Sequence, residues 1–117
     1  MDVGALEADD YESVHRASRD LAARYGMLTL NTALEAWEAW VQEAEEGFDA
    51  EVVWEYEDGL RCRRWLAAAW PVLTERVRAA RQAELDALDT RFRRATVPRP
   101  GQADDVPWHS RQPRLIE

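Results

Sequence analysis

Residues 30–48, LNTALEAWEAWVQEAEEGF, decide the fold. Leu30, Leu34, Trp37, Val41, Ala44 and Phe48 follow one another at alternating intervals of four and three. That spacing lines apolar side chains along one stripe of an α-helix. Thr32-Ala33-Leu34-Glu35 fits a capping box, in which hydroxyl and carboxylate satisfy the free amides of a first turn. Gly47 marks the end.

The same period extends to both sides. In 5–25, Tyr11, Val14, Ser18, Leu21 and Tyr25 form a mainly apolar stripe, and Gly26 supplies a stop. Beyond Gly47, Asp49 is a cap for a third helix carrying Val52, Val53, Tyr56, Leu60, Leu66, Ala67 and Trp70 on one broad face. Gly59 inside it costs about 1 kcal/mol relative to alanine. Pro71 suits a first helical position, so a fourth helix is expected from there to about Ala95, with Leu73, Val77, Ala80, Leu85, Leu88 and Phe92 as core. Short connections between such helices predict an all-α, up-down four-helix bundle over 1–95. From Thr96 the pattern changes: 96–117 holds four prolines, no periodicity and one large apolar anchor, Trp108. This is expected to be an irregular, Pro-rich, extended C-terminal tail pinned by that indole.

With 117 residues, the chain can bury a core without metal or disulfide staples. All fifteen basic residues are arginine, which excludes Schiff-base and lysine-nucleophile chemistry. Cys62 is the sole cysteine, so neither an internal disulfide nor a Cys-x-x-Cys pair exists. The acidic start, MDVGALEADD, lacks the pattern of a signal peptide, and the apolar run from Trp65 to Leu73 is too short to span a bilayer. A cytoplasmic protein without membrane contact is expected.

Net charge is −8, unevenly distributed. Residues 1–58 hold sixteen acids against three arginines, while 59–117 hold seven against twelve. Ten acids fall in 35–58. Such a front half repels nucleic acid, and several arginines of the back half are expected to neutralise it from across the bundle.

The third helix has a second aspect. At about 100° per residue, Trp54, Asp58, Arg61 and Trp65 cluster opposite its main face, with Cys62 at the margin. Either the tail or another helix covers the two indoles, or they await a partner. Arg63, Arg81 and Glu84 point into apolar faces and are expected in internal ion pairs. Cys62 has no histidine near it in sequence and is expected to be an inert thiol.

Two metal readings arise. Glu12-Ser13-Val14-His15 is a single Glu-x-x-His, a unit that carboxylate-bridged di-iron bundles use twice. Glu35-x-x-Glu38 together with Glu55-x-x-Asp58-x-Leu60 resembles the all-α nucleoside triphosphate pyrophosphohydrolases of the MazG and dUTPase kind. The resemblance covers about 25 residues. It implies magnesium held by Glu35, Glu38, Glu55 and Asp58, with substrate phosphates completing its shell. Two departures weaken it: Leu34 stands where that family has the first of two adjacent glutamates, and its phosphate-binding lysines have no counterpart. Separately, EYEDGL at 55–60, LDTRF at 88–92 and the PW of the tail resemble small stand-alone helical proteins of actinobacteria, over roughly residues 50–115. That resemblance implies no activity.

The leading expectation is a small acidic helical protein-binding module, with no cofactor and no catalytic residue. Its interface would comprise Glu35, Glu38, Trp40, Glu43, Glu45, Glu46, Trp54, Glu55, Glu57 and Asp58, meeting a basic protein partner. One concrete form is an immunity protein or antitoxin occupying the basic site of a nuclease-type toxin. The magnesium pyrophosphohydrolase and a homo-oligomeric interaction protein stand as alternatives.

Overall fold

The structure, a computed structural model, describes residues 7–47, 60–98, 101 and 108–113. It is all-α. Among the described residues, the helices are α1 (Ala8–Tyr25), α2 (Leu30–Glu46), α3 (Arg61–Ala69) and α4 (Glu75–Ala95). The expected Asp49 cap, Gly59, and the core positions Phe48, Val52, Val53 and Tyr56 lie outside the described residues. Among the described residues, no helix is long and apolar enough to cross a membrane.

The stripe of α2 is buried as its spacing demands: Leu30, Leu34, Trp37, Val41 and Ala44 are all core. Each fully buried large side chain of this kind stabilises the fold by about 1.5–3 kcal/mol. The helix starts earlier than the Thr32–Glu35 box suggests. Thr29 is the cap: its hydroxyl accepts from the Thr32 amide at 3.2 Å, and the Thr32 hydroxyl accepts from the Thr29 amide at 2.8 Å. Threonine at the third position thus reaches back as glutamate would, and the earlier start brings Leu30 into the buried stripe. Gly47, at φ +95°, ends the helix in a conformation that favours glycine.

α2 packs on α3 and α4, and α1 packs on α3 and the turn that follows it. α1 does so through small residues, with Ser13 and Ala17 buried, while Tyr11 of its expected apolar stripe is 55% exposed. In α4, Val77, Leu85, Leu88 and Phe92 are buried as expected but Ala80 is exposed; in α3, Ala67 is exposed.

The fourth helix does not begin at Pro71. Trp70–Val72 form a 3₁₀ turn, and α4 starts at Glu75 with Thr74 as its cap, whose hydroxyl accepts from the Val77 amide at 3.3 Å. The tighter turn lets the Leu73 amide bond back to the carbonyls of Ala69 and Trp70, both at 3.2 Å. Arg78 Nη1 donates to the Trp70 and Leu73 carbonyls at 3.3 and 2.9 Å, satisfying groups that the break exposes.

Thr74 also ties α4 to α1. Its hydroxyl donates to Asp10 Oδ1, and its amide donates to Ser13 Oγ at 3.2 Å. Asp10 is buried and accepts the Glu7 amide at 2.8 Å, while Arg76 lies 3.5 Å away. The Glu7 amide, then the Thr74 hydroxyl, then the Arg76 charge hold the Asp10 carboxyl below the usual carboxylate range. A depressed folded pKa contributes stability that is present above the unfolded value, about 3.9, and is lost as pH falls through the folded one. Asp10→Asn is therefore expected to lower the urea midpoint at neutral pH, with the gap to the unsubstituted protein closing in acid. A gap unchanged from neutral pH to below the folded pKa would contradict this account of Asp10.

Among the described residues, the tail is not irregular throughout as expected but contains two short strands. Thr96–Pro98 (β1) and Arg111–Pro113 (β2) pair antiparallel, with Val97 opposite Gln112. Arg111 is buried; its Nε donates to Thr96 Oγ1 at 2.8 Å and its Nη2 to the Thr96 carbonyl at 2.7 Å. The Thr96 hydroxyl in turn donates to the Phe92 carbonyl at 2.7 Å, in the last turn of α4. Trp108 packs on the core, as its expected role as anchor requires.

Candidate functional site

Charges at the centre of the helices are paired. Arg63, on α3, is buried and grips Asp89 of α4 with two bonds, Nε to Oδ1 at 2.8 Å and Nη2 to Oδ2 at 2.7 Å. Trp37 Nε1 on α2 donates to the same Oδ1 at 3.0 Å, and the Trp108 ring lies 5.1 Å from the Arg63 guanidinium. One carboxylate thus joins three helices, and one arginine carries the tail indole on its face. The expected internal pairing of Arg63 is met. Arg81 and Glu84 also pair, at 3.0 Å, but on a half-exposed surface rather than within an apolar face. Trp65 is completely buried, which resolves its expected alternatives in favour of being covered; Trp54 lies outside the described residues. Among the described residues, no acceptor meets Trp65 Nε1.

The acids of α2 divide. Glu45 belongs to a bidentate pair with Arg91 of α4, at 3.1 and 2.6 Å, and that arginine holds its carboxyl below the usual range. This is a neutralisation of a front-half acid by a back-half arginine, as expected from the charge asymmetry. Glu35, Glu38, Glu43 and Glu46 are exposed, and among the described residues none of them has an arginine within ion-pair distance. Glu55, Glu57 and Asp58 lie outside the described residues; the α2 half of the expected magnesium set is Glu35 and Glu38, which sit on the outer surface. Among the described residues, no three His, Cys, Asp or Glu side chains gather closely enough to hold a metal. Glu12 is exposed and pairs with Arg16 at 3.4 Å rather than with His15.

Beside α2 runs an open groove of about 580 Å³. It is lined by Tyr25 at the end of α1, Met27 and Leu28 of the α1–α2 connection, Ala36, Ala39, Trp40 and Glu43 of α2, and Arg61 and Cys62 at the start of α3. Met27 is 85% exposed at this groove, while Trp40, off the α2 core stripe as its position in the sequence implies, is half-buried against the core. Gly26 makes the connection feasible: its φ of +87° turns the chain out of α1. The thiol of Cys62 is buried, and burial pushes it up to about 11. A buried thiol kept in its protonated form is less reactive than an exposed, ionised one. Of the expected interface, Trp40 and Glu43 come together here; Met27, Tyr25 and Leu28 were not legible as members, because the groove draws on a loop and three separate helices.

No family model, curated protein or solved structure matches the chain.

Proposed function

We propose that this chain is a small acidic helical protein-binding module, and that its interface is the groove beside α2 together with the carboxylates on that helix. The observation that supports this most is Met27. A thioether held in water at the edge of an apolar concavity is adaptable contact surface, of the sort that binding grooves use. Trp40 provides a fixed aromatic wall, and Trp is among the residues that most often dominate such contacts. Glu43 stands in the groove, and Glu35 and Glu46 lie on the neighbouring outward face of α2. A basic partner with an apolar side chain for the groove complements this arrangement, with charge accelerating encounter and the desolvated contact supplying affinity. Arg61 on α3 also lines the groove, so the charge that favours a basic partner is that of α2. The cationic, nucleic-acid-facing surface of a toxin has this chemistry, so an immunity protein or antitoxin acting in the cytoplasm is a specific form of the reading.

The test uses affinity capture from the source cells, followed by titration of the purified partner. Reversal of Glu35, Glu43 and Glu46 to lysine is expected to weaken binding about ten-fold or more at low ionic strength and far less in high salt. Met27→Asp is expected to weaken it at both. Absence of a partner, or one that binds both variants as tightly as the unsubstituted protein, would refute the proposal.

A further inference from the structure

A second concavity, of about 360 Å³, opens between α1, the start of α2 and α4. Its apolar lining is Val14, Leu30, Val77 and Ala80. His15, Ser18, Asn31 and Arg81 add polar groups, and Tyr11 contributes an exposed ring. Tyr11, Val14 and Ser18 belong to the α1 stripe whose spacing marks it for burial; here Val14 packs on the core, Tyr11 is exposed, and all three border the opening.

We propose that this cavity is a binding site for a small carboxylate with an aromatic or branched apolar body. Its volume lies in the range of small-molecule pockets, roughly 300–1,000 Å³, and it joins an apolar lining to a few polar groups, as such pockets do. The charge of the lining selects the sign of the ligand. On a chain of net charge −8, no carboxylate appears in the described lining, whereas a guanidinium and an imidazole do. Arg81 is also held in place: Nε donates to Glu84 at 3.0 Å and Nη1 to Asn31 Oδ1 at 2.7 Å. Among the described residues, Nη2 meets no acceptor, so a fixed donor remains for a ligand oxygen. A single arginine, already paired with Glu84 at 3.0 Å, favours one negative charge over the two of a phosphate monoester. The site is independent of the groove beside α2, and its failure leaves the protein-binding reading intact.

Amide chemical shifts of the full chain, followed during titration with phenylacetate, test this. Saturable shifts are expected at Val14, Ser18, Asn31 and Ala80. The neutral analogue 2-phenylethanol is expected to bind about ten-fold or more weakly, and Arg81→Met to lose a similar factor. Ala80→Phe, at an exposed position, is expected to fill the cavity and abolish the shifts while the spectrum stays dispersed. Unsaturable shifts, or shifts centred on Ala36 and Ala39 of the other groove, would overturn the proposal. Equal binding of 2-phenylethanol, or of phenylacetate by Arg81→Met, would reduce the cavity to a merely apolar one and overturn it too. Tighter binding of phenyl phosphate would overturn the choice of a carboxylate.

Discussion

Asp89→Ala is expected to destabilise the protein by about 3 kcal/mol or more, the loss found when one partner of a buried ion pair is removed. The Arg63 side chain is only 10% exposed, so without Asp89 its charge stays in the interior with no counter-ion. Trp37 Nε1 simultaneously loses its acceptor. Asp89 itself is 28% exposed, and entering water moderates the loss, which places the figure near the lower end of about 3–5 kcal/mol. Against a total stability of about 5–15 kcal/mol, that is a large fraction. Asp89→Asn keeps an acceptor for the indole and is expected to fall between the two. Combining Asp89→Leu with Arg63→Met removes both charges together, and is expected to restore most of the loss, because the desolvation of the guanidinium disappears with its partner. Urea unfolding of the four proteins gives the comparison. A loss below about 1 kcal/mol for Asp89→Ala would mean that the pair behaves as a surface one.

Trp37→Ala is expected to cost about 3–5 kcal/mol, as deletions of large buried aromatic side chains do. Trp37 is fully buried, and its ring lies 4.8 Å from that of Phe92 in a tilted contact. Removal empties space at the contact of α2 with α4 and also strips Asp89 of one of its three hydrogen bonds. For a domain of this size the melting temperature should fall on the order of 10 °C. Trp37→Phe retains most of the apolar volume and loses only the donor, so a decrease of about 1–2 kcal/mol is expected. If Trp37→Ala melted within a few degrees of the unsubstituted protein, the surroundings would have collapsed into the space, and the interface would be less rigidly packed than its geometry indicates. Since the two substitutions share Asp89, their effects should not add.

What the sequence made legible follows from what local physics can encode. The stripe of α2 was readable because Leu30 to Ala44 face one way by spacing alone, and the same spacing put Trp40 off the core. The pairing of Arg63 was readable because a charge on an apolar face needs a counter-charge, although nothing local identifies Asp89 as that group. Helix starts were harder. Thr32-x-x-Glu35 and Thr29-x-x-Thr32 both satisfy capping chemistry, and burial of Leu30 decides between them. Pro71 suits a first helical turn, yet the Thr74 hydroxyl gains both the Val77 amide and Asp10, a contact from α1 that no window around Pro71 contains. The short strands of the tail have too few residues for a period, and Arg111 gave no sign of burial because its partners lie on Thr96. Both concavities escaped for a related reason. Each is a gap between segments distant in sequence, and periodicity describes only one segment at a time.

The carboxylates follow the same division. Charge asymmetry foretold that some acids of α2 would meet arginines of the back half, and Glu45 with Arg91 does so. It did not indicate which would remain. Glu35, Glu43 and Glu46 keep exposed positions without such a partner among the described residues, while Glu38 contributes at longer range to the field that Arg91 feels. These four leave a negative flank on α2, the surface that the proposed basic partner would meet.

Hydrogen–deuterium exchange of the protein alone and in complex with its captured partner tests that claim most directly. Protection is expected at residues 25–28 and along 36–43, where the exposed methionine, the half-buried indole and Glu43 meet. The α1–α4 side, including residues 11–18 and 77–81, is expected to exchange as in the free protein. Protection confined to that opposite side, or a complex that protects neither segment beside α2, would contradict the account.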